Sequence, residues 1–291
     1  MNKNPTRTLG IEKKWKAQFN VRYRKLKGAI NRYFLEAVPI LNFEFNYSDK
    51  AITEFVAFLD SEIKDKIYDN ITDPQMFWQN EYLNRTYTRG VNQANVNIKK
   101  AYKGDLDTVN LRGGAIPSLS TGVISPVGST GIHLDALQIL YTRDYSELQG
   151  ITNEMSRQIA RELSQGVELG TGLKDLAARI NDRVDKIGLS RSKLLAQTET
   201  IRAYNIGALN EGQQDEEIIG EKVLYEWSTA GDDRVRDSHR ARDGKFYERE
   251  TAYSLIGEIR CRCALIATPE SAITPQVKKE NTKERKKLQK L

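Results

Sequence analysis

Between Trp15 and Phe34, apolar and aromatic residues recur at steps of three and four: Trp15, Phe19, Tyr23, Leu26, Ile30, Tyr33 and Phe34. Lys and Arg fill six of the thirteen positions between them. That period predicts an amphipathic helix with an aromatic stripe on one face and cations on the other. Ile52, Phe55, Val56, Leu59, Ile63 and Ile67 predict a second helix from near Asp49. Asp73-Pro74 predicts the start of a third. Asp accepts hydrogen bonds from the open N–H groups of a first turn, and Pro lacks an N–H where none is needed. This helix is expected to reach Ala101-Tyr102 and to stop at Gly104. Residues 104–131 lose the helical period and are rich in Gly, Ser, Thr and Pro, which predicts a linker or extended arm.

Helical spacing then resumes. Leu148, Ile151, Met155, Ile159 and Leu163 form one stripe, ended by Gly166 and Gly170. Thr171 is read as the cap of a helix with Leu173, Leu176, Ala177, Ile180, Val184 and Ile187 on one face, closed by Gly188. Leu189 to Gln214 reads as one more helix. After Gly220 the period changes to two, with Val223, Tyr225 and Trp227 alternating with Leu224 and Glu226. Lys245–Tyr247 and Cys263–Ala267 are further strand candidates. The expected fold class is therefore α+β. Residues 1–104 form a helical region, 105–135 a long linker, 136–270 a helical bundle followed by a small β-sheet, and 271–291 a basic tail.

Composition narrows the class. The chain has 291 residues, 39% of them hydrophobic and 29% charged, which is too apolar for disorder throughout. It has no 18-residue apolar run, and Met1–Arg7 leads into no apolar segment, so neither a membrane span nor a secretory leader is expected. Its two cysteines, Cys261 and Cys263, exclude a disulfide-stapled scaffold and point to synthesis in a reducing cytoplasm.

The net charge of +6 is unevenly spread. Residues 1–32 carry +9, residues 271–291 carry +5, and the body between them carries −8. Basic ends favour a polyanion or an acidic protein surface. Lys13, Lys14, Lys16, Arg22, Arg24 and Lys25 at one end, and Lys278, Lys279, Arg285, Lys286 and Lys287 at the other, are the candidates for contact with double-stranded DNA. Simple solvation of exposed extensions is the competing reading. The first helix reads as docked through its aromatic stripe in preference to lying on a membrane, so no membrane partner is expected.

The densest polar stretch is Trp227–Gly244, which holds Asp232, Asp233, Arg234, Arg236, Asp237, His239 and Asp243. It reads either as a salt-bridged corner that orders the sheet or as an active or metal site centred on His239. His239, Cys261 and Cys263 would supply three zinc ligands, with Asp237 or Asp243 as a fourth. One intervening residue between the cysteines is fewer than structural zinc sites usually have, although an extended segment would turn both thiols to one face. Two reduced thiols beside a small sheet is the alternative. Upstream, Thr198, Arg202 and Asn205 share a helix face and Glu199 can pair with Arg202, as a catalytic face or as the polar seam that docks the helix on the sheet. Gly-rich phosphate loops, nucleophile elbows and His-Glu-x-x-His motifs are missing from the sequence, and His133 reads as incidental.

Three blocks in this order resemble the phage head morphogenesis domain of the Mu F-like minor head protein family. The first is Gln197-Thr198-Glu199-Thr200 with Ala203-Tyr204-Asn205 and Gly207. The second runs from Trp227 through Asp232, Asp233, Arg234, Arg236 and His239 to Asp243-Gly244. The third is Cys261-Arg262-Cys263. Where family members often carry a Pro and an Asn before the last block, this chain has Ile256-Gly257-Glu258-Ile259-Arg260. The resemblance covers about residues 140–268. It implies a non-enzymatic, portal-associated structural protein of a tailed virus, acting in capsid assembly, genome packaging or ejection. The implied partners are the portal protein, other capsid or scaffold proteins and packaged DNA. The implied location is the capsid interior at the portal vertex, after synthesis in the host cytoplasm. Two other readings are a metal-dependent nuclease or transferase built on Asp232, Asp233, His239 and Glu199, and a sequence-independent DNA-binding accessory protein.

Overall fold

A computed structural model of the chain describes residues 5–37, 49–104 and 131–274. The 105–130 segment and residues 275–291 of the basic tail, with Lys278, Lys279, Arg285, Lys286 and Lys287, lie outside the described residues. Among the described residues no helix is long and apolar enough to cross a membrane.

The described helices are α1 (Leu9–Arg32), α2 (Asp49–Lys66), α3 (Asn80–Ala101), α4 (Gly131–Glu168), α5 (Leu173–Arg183), α6 (Ser190–Ile219), α7 (Asp237–Arg240) and α8 (Arg249–Leu255). Strands β1 (Val223–Ser228), β2 (Phe246–Tyr247) and β3 (Ala264–Pro269) form an antiparallel sheet in the order β2-β1-β3. Tyr225 faces Tyr247 on one side and Ala267 on the other. The α+β class and all three strand candidates are present.

Several boundaries differ from the sequence reading, and α6 runs five residues past the expected Gln214. Asp73 does cap a turn, its carboxylate accepting from the Gln75 N–H at 2.8 Å, but that turn is a short 3-10 segment (Pro74–Met76) and α3 starts only at Asn80. Phe77 is extended there and buried among Tyr68, Tyr145 and Trp78, so aromatic packing overrides the local helix signal. Residues 131–135, assigned to the linker, are the first turn of α4. Gly172, not Thr171, is the N-cap of α5. Gly188 does not end a helix: α5 continues through a π-helical turn (Val184–Leu189) into α6. A Cβ at Gly188 would lie 2.5 Å from both Met155 Sδ and a Tyr23 ring carbon, so the glycine serves close packing.

The chain divides into two compact units that interleave along the sequence. One comprises residues 12–80 and 141–197. Its core is the α1 stripe of Trp15, Phe19, Tyr23, Leu26, Ile30 and Phe34, all fully buried, together with Phe55, Leu59, Leu148, Met155, Ile159 and Leu163. Buried polar ends are matched across it: Trp15 Nε1 donates to Gln79 at 2.8 Å, and Tyr23 Oη meets Ser192 Oγ at 2.8 Å. The α1 stripe is thus core, and the opposite face, with Lys13, Lys14, Arg24 and Lys25, is exposed.

The other unit comprises residues 1–11, 81–140 and 198–291, and holds the sheet. Within it α3 and α6 cross at backbone contact. A Cβ at Gly207 would stand 2.3 Å from the Tyr87 carbonyl oxygen, and one at Gly90 would stand 1.9 Å from that of Tyr204. Only glycine at both positions permits this approach.

Candidate functional site

The Mu F-like blocks converge at the edge of the sheet nearest the end of β1. Gly244 takes φ +73°, a left-handed conformation that glycine adopts without strain, and its N–H donates to the Trp227 carbonyl at 2.8 Å. Lys245 O accepts from Trp227 N at 2.8 Å, so this turn returns the chain from α7 into β2 beside β1. Asp243 Oδ1 accepts from Thr229 N at 2.7 Å and braces the same corner. The motif's aspartate and glycine are therefore turn-forming residues, and neither Asp243 nor the exposed Asp237 belongs to the thiol–imidazole group.

Asp232 lies in the fork of Arg262, with contacts of 2.7 and 2.5 Å to its two oxygens. This bidentate bond holds the Asp232 carboxyl well below the usual carboxylate range. It ties the loop after β1 to the segment leading into β3. Arg234 is exposed and reaches Asp232 at 3.4 Å. Arg236 reaches Glu258 at 3.1 Å and also donates to the Ile259 carbonyl.

The α6 face docks on β3. Asn205 donates to the Cys263 carbonyl at 3.1 Å and accepts from the Leu265 N–H at 2.9 Å, completing hydrogen bonds at the start of the strand. Glu199 is buried 3.6 Å from Arg202 Nε, and Arg202 reaches the Gly257 carbonyl at 3.3 Å. Thr198 Oγ1 accepts from Arg260 N at 3.5 Å. Each of these contacts fixes the 257–265 segment against the helix.

That segment carries the chemistry. Cys261, Cys263 and His239 are buried, and their ligand atoms lie within 4.8 Å of one another. His239 Nδ1 is 3.3 Å from Cys263 Sγ and 3.5 Å from Cys261 Sγ. Cys263 N–H donates to Cys261 Sγ at 3.3 Å. The thiols titrate as a pair. The hydrogen bond from Cys263 draws Cys261 down to about 6 against the opposing effect of burial, and the same bond pushes Cys263 up. The other side of the imidazole, Nε2, stands 2.9 Å from Glu258 Oε2. Burial raises Glu258, but His239, Arg236 and Arg242 outweigh it and hold the carboxyl below its ordinary range. Trp227 stacks edge-on to the imidazole at 5.4 Å, and Arg242 lies over the indole at 5.3 Å.

The model of a family described as Phage Mu protein F like protein matches residues 157–266. Residues 157–266 are thus similar to that family, over less than half of the chain. Beyond that region, the chain is 27% identical over 286 aligned positions to the minor head protein GP7 of Bacillus phage SPP1, covering 92% of this chain and 85% of the relative. An uncharacterized protein of Haemophilus influenzae is 30% identical over 123 positions, 41% of this chain and 26% of that protein. No solved structure matches.

Sequence reading missed Glu258 and the buried role of His133. Glu258 is the only acidic residue in the five-residue stretch that departs from the family pattern, which was its available signal. His133 sits in the compact unit that holds the sheet, where Tyr87 Oη meets its Nδ1 at 2.7 Å and Glu211 Oε2 lies 3.3 Å from its Nε2. Of the α1 cations expected at DNA, Lys16 pairs with Glu12, and Arg22 pairs with Asp69 at 2.7 Å while lying 4.1 Å over the Trp78 ring. Arg24 and Lys25 line a cleft of about 500 Å³ with Arg32, Lys66, Asp65 and Asp69.

Proposed function

We propose that the chain is a minor head protein of a tailed phage, a structural component of the virion that docks on the portal inside the capsid. One observation carries this reading: similarity to the SPP1 minor head protein runs through 92% of the chain, well past the Mu F-like region. The site geometry supports assembly over catalysis. Glu199 is taken up by Arg202, Asp232 by Arg262 and Asn205 by the β3 backbone, so the motif's polar groups spend themselves on positioning. A nuclease would need carboxylates converging on an open cleft, and Asp232, Asp233 and Glu199 do not converge with His239 on a common cation position. The exposed Lys13, Lys14, Arg24 and Lys25 face offers packaged DNA a cationic contact during packaging or ejection.

Co-expression of the full chain with the portal and major capsid proteins of the same phage tests the reading. A portal complex that survives size-exclusion chromatography, and the chain's presence in purified particles, are the expected results. Particles that assemble without it and a portal that elutes alone would remove it. The DNA contact is tested separately. Binding to duplex DNA is expected to fall steeply with salt, and the quadruple variant Lys13→Glu, Lys14→Glu, Arg24→Glu, Lys25→Glu is expected to lower the salt slope.

A further inference from the structure

We propose that His239, Cys261 and Cys263 form a zinc site with three protein ligands, whose fourth position opens into the adjoining arginine-lined cavity. The geometry is the first support. Zinc bonds of about 2.3 Å to sulfur and 2.0–2.1 Å to imidazole nitrogen set neighbouring S and N ligands of a tetrahedron about 3.5 Å apart. The two S···N separations are 3.3 and 3.5 Å. Hydrogen bonding alone serves this arrangement badly. A neutral imidazole Nδ1 presents one lone pair, and two thiols stand at nearly the same distance from it.

The surroundings are the second support. Metal-bound histidine characteristically has a carboxylate or carbonyl on its far nitrogen, which fixes the ring and raises its basicity. Glu258 occupies that place, 2.9 Å from Nε2. Metal-bound thiolates are held by N–H groups. Cys261 Sγ accepts from the Cys263 N–H, and the Trp227 indole N–H lies against Cys263 with no oxygen partner. The ligand types select the metal class: two soft thiolates and one imidazole suit zinc, and disfavour magnesium and calcium, which take oxygen.

The fourth position follows from the cavity. It encloses about 170 Å³ and is lined by all three ligands together with Arg234, Arg236, Arg260 and Arg262. A water molecule has room there. On binding, whatever protons the two thiols still carry go to solvent, and the two thiolates neutralise the dication. The metal would then join α7 to the entry of β3, across a sequence separation of 22 from His239 to Cys261.

Full-length protein, reduced and dialysed against a metal chelator, should bind about one zinc per chain by elemental analysis after reconstitution and desalting. Cobalt substituted into the same protein should show the intense visible bands of tetrahedral coordination and a thiolate-to-cobalt charge-transfer band in the near ultraviolet. The cobalt test uses the wild-type chain, so it does not depend on any variant folding. Cys261→Ser and His239→Ala should each lower zinc affinity by at least tenfold, with far-ultraviolet circular dichroism recording whether they fold. A wild-type chain that retains no zinc, or cobalt spectra of octahedral oxygen coordination, would overturn the proposal and leave two reduced thiols hydrogen-bonded to His239. None of these readouts depends on portal binding, so the head-protein reading can fail independently.

Discussion

The two histidines occupy opposite kinds of surroundings within one compact unit. Around His133 every group hands its hydrogen bond to the next. Arg249 donates to Asn210 at 2.9 Å, Asn210 to Tyr87 Oη at 3.0 Å, and Tyr87 Oη meets His133 Nδ1 at 2.7 Å. Glu211 closes the chain, 3.3 Å from His133 Nε2, and its other oxygen accepts from Asn95 at 2.9 Å. Around His239 the neighbours on one side are sulfurs and on the other a half-exposed carboxylate, with a cavity alongside. The first centre is saturated by protein groups drawn from α3, α4, α6 and α8. The second is not closed in this way, which is the basis of the zinc proposal above. Burial alone does not distinguish them, since His133 is 8% exposed and His239 2%. The difference lies in whether each ring nitrogen has one matched oxygen partner.

The largest way to break the contrast is Glu211→Ala. It strands the buried His133 and Asn95 donors, and urea denaturation should show a loss of about 3 kcal/mol. A loss under 1 kcal/mol would mean that the His133 chain is not a closed network. Next comes Asp215, buried one turn beyond Glu211 and raised to about 7, by burial first and by Glu211 second. The folded state binds this proton more tightly than the unfolded chain, so its contribution is intact below about pH 4 and is lost as pH rises toward 7. Asp215→Asn should therefore stabilise the protein at pH 8 by about 2 kcal/mol and hardly at pH 4, flattening the pH dependence of Tm. Tyr87→Phe removes one link and should cost about 1–2 kcal/mol. The smallest effect is expected at the other centre. Glu258→Gln in metal-free protein should cost under about 1 kcal/mol, because Glu258 is 43% exposed and its pairs are screened.

Periodicity revealed what depends on one face of one element. The α1 stripe was legible because six of its seven residues, all but Tyr33, are fully buried, and β1 because its burial alternates strictly. The start of α3 was not, since Phe77 is held extended by Tyr68 and Tyr145, which local sequence cannot report. The His239–Cys261–Cys263 group was legible because Cys and His are scarce here. Its fourth-ligand assignment failed because Asp243 is spent on a turn, a role that only the Thr229 contact reveals. The His133 network was invisible because its members come from four helices and share no spacing.

The interleaving of the two units has a consequence for synthesis. All residues of the α1-containing unit have been translated once Gln197 is made, whereas the other unit waits for β3. Translation therefore delivers one folding nucleus complete while the first residues, α3 and the start of α4 still lack their partners. The ribosome imposes an order that the finished molecule no longer displays. It also means that removing residues 1–104 takes helices from both units, so a truncation there reports on folding before it reports on any partner.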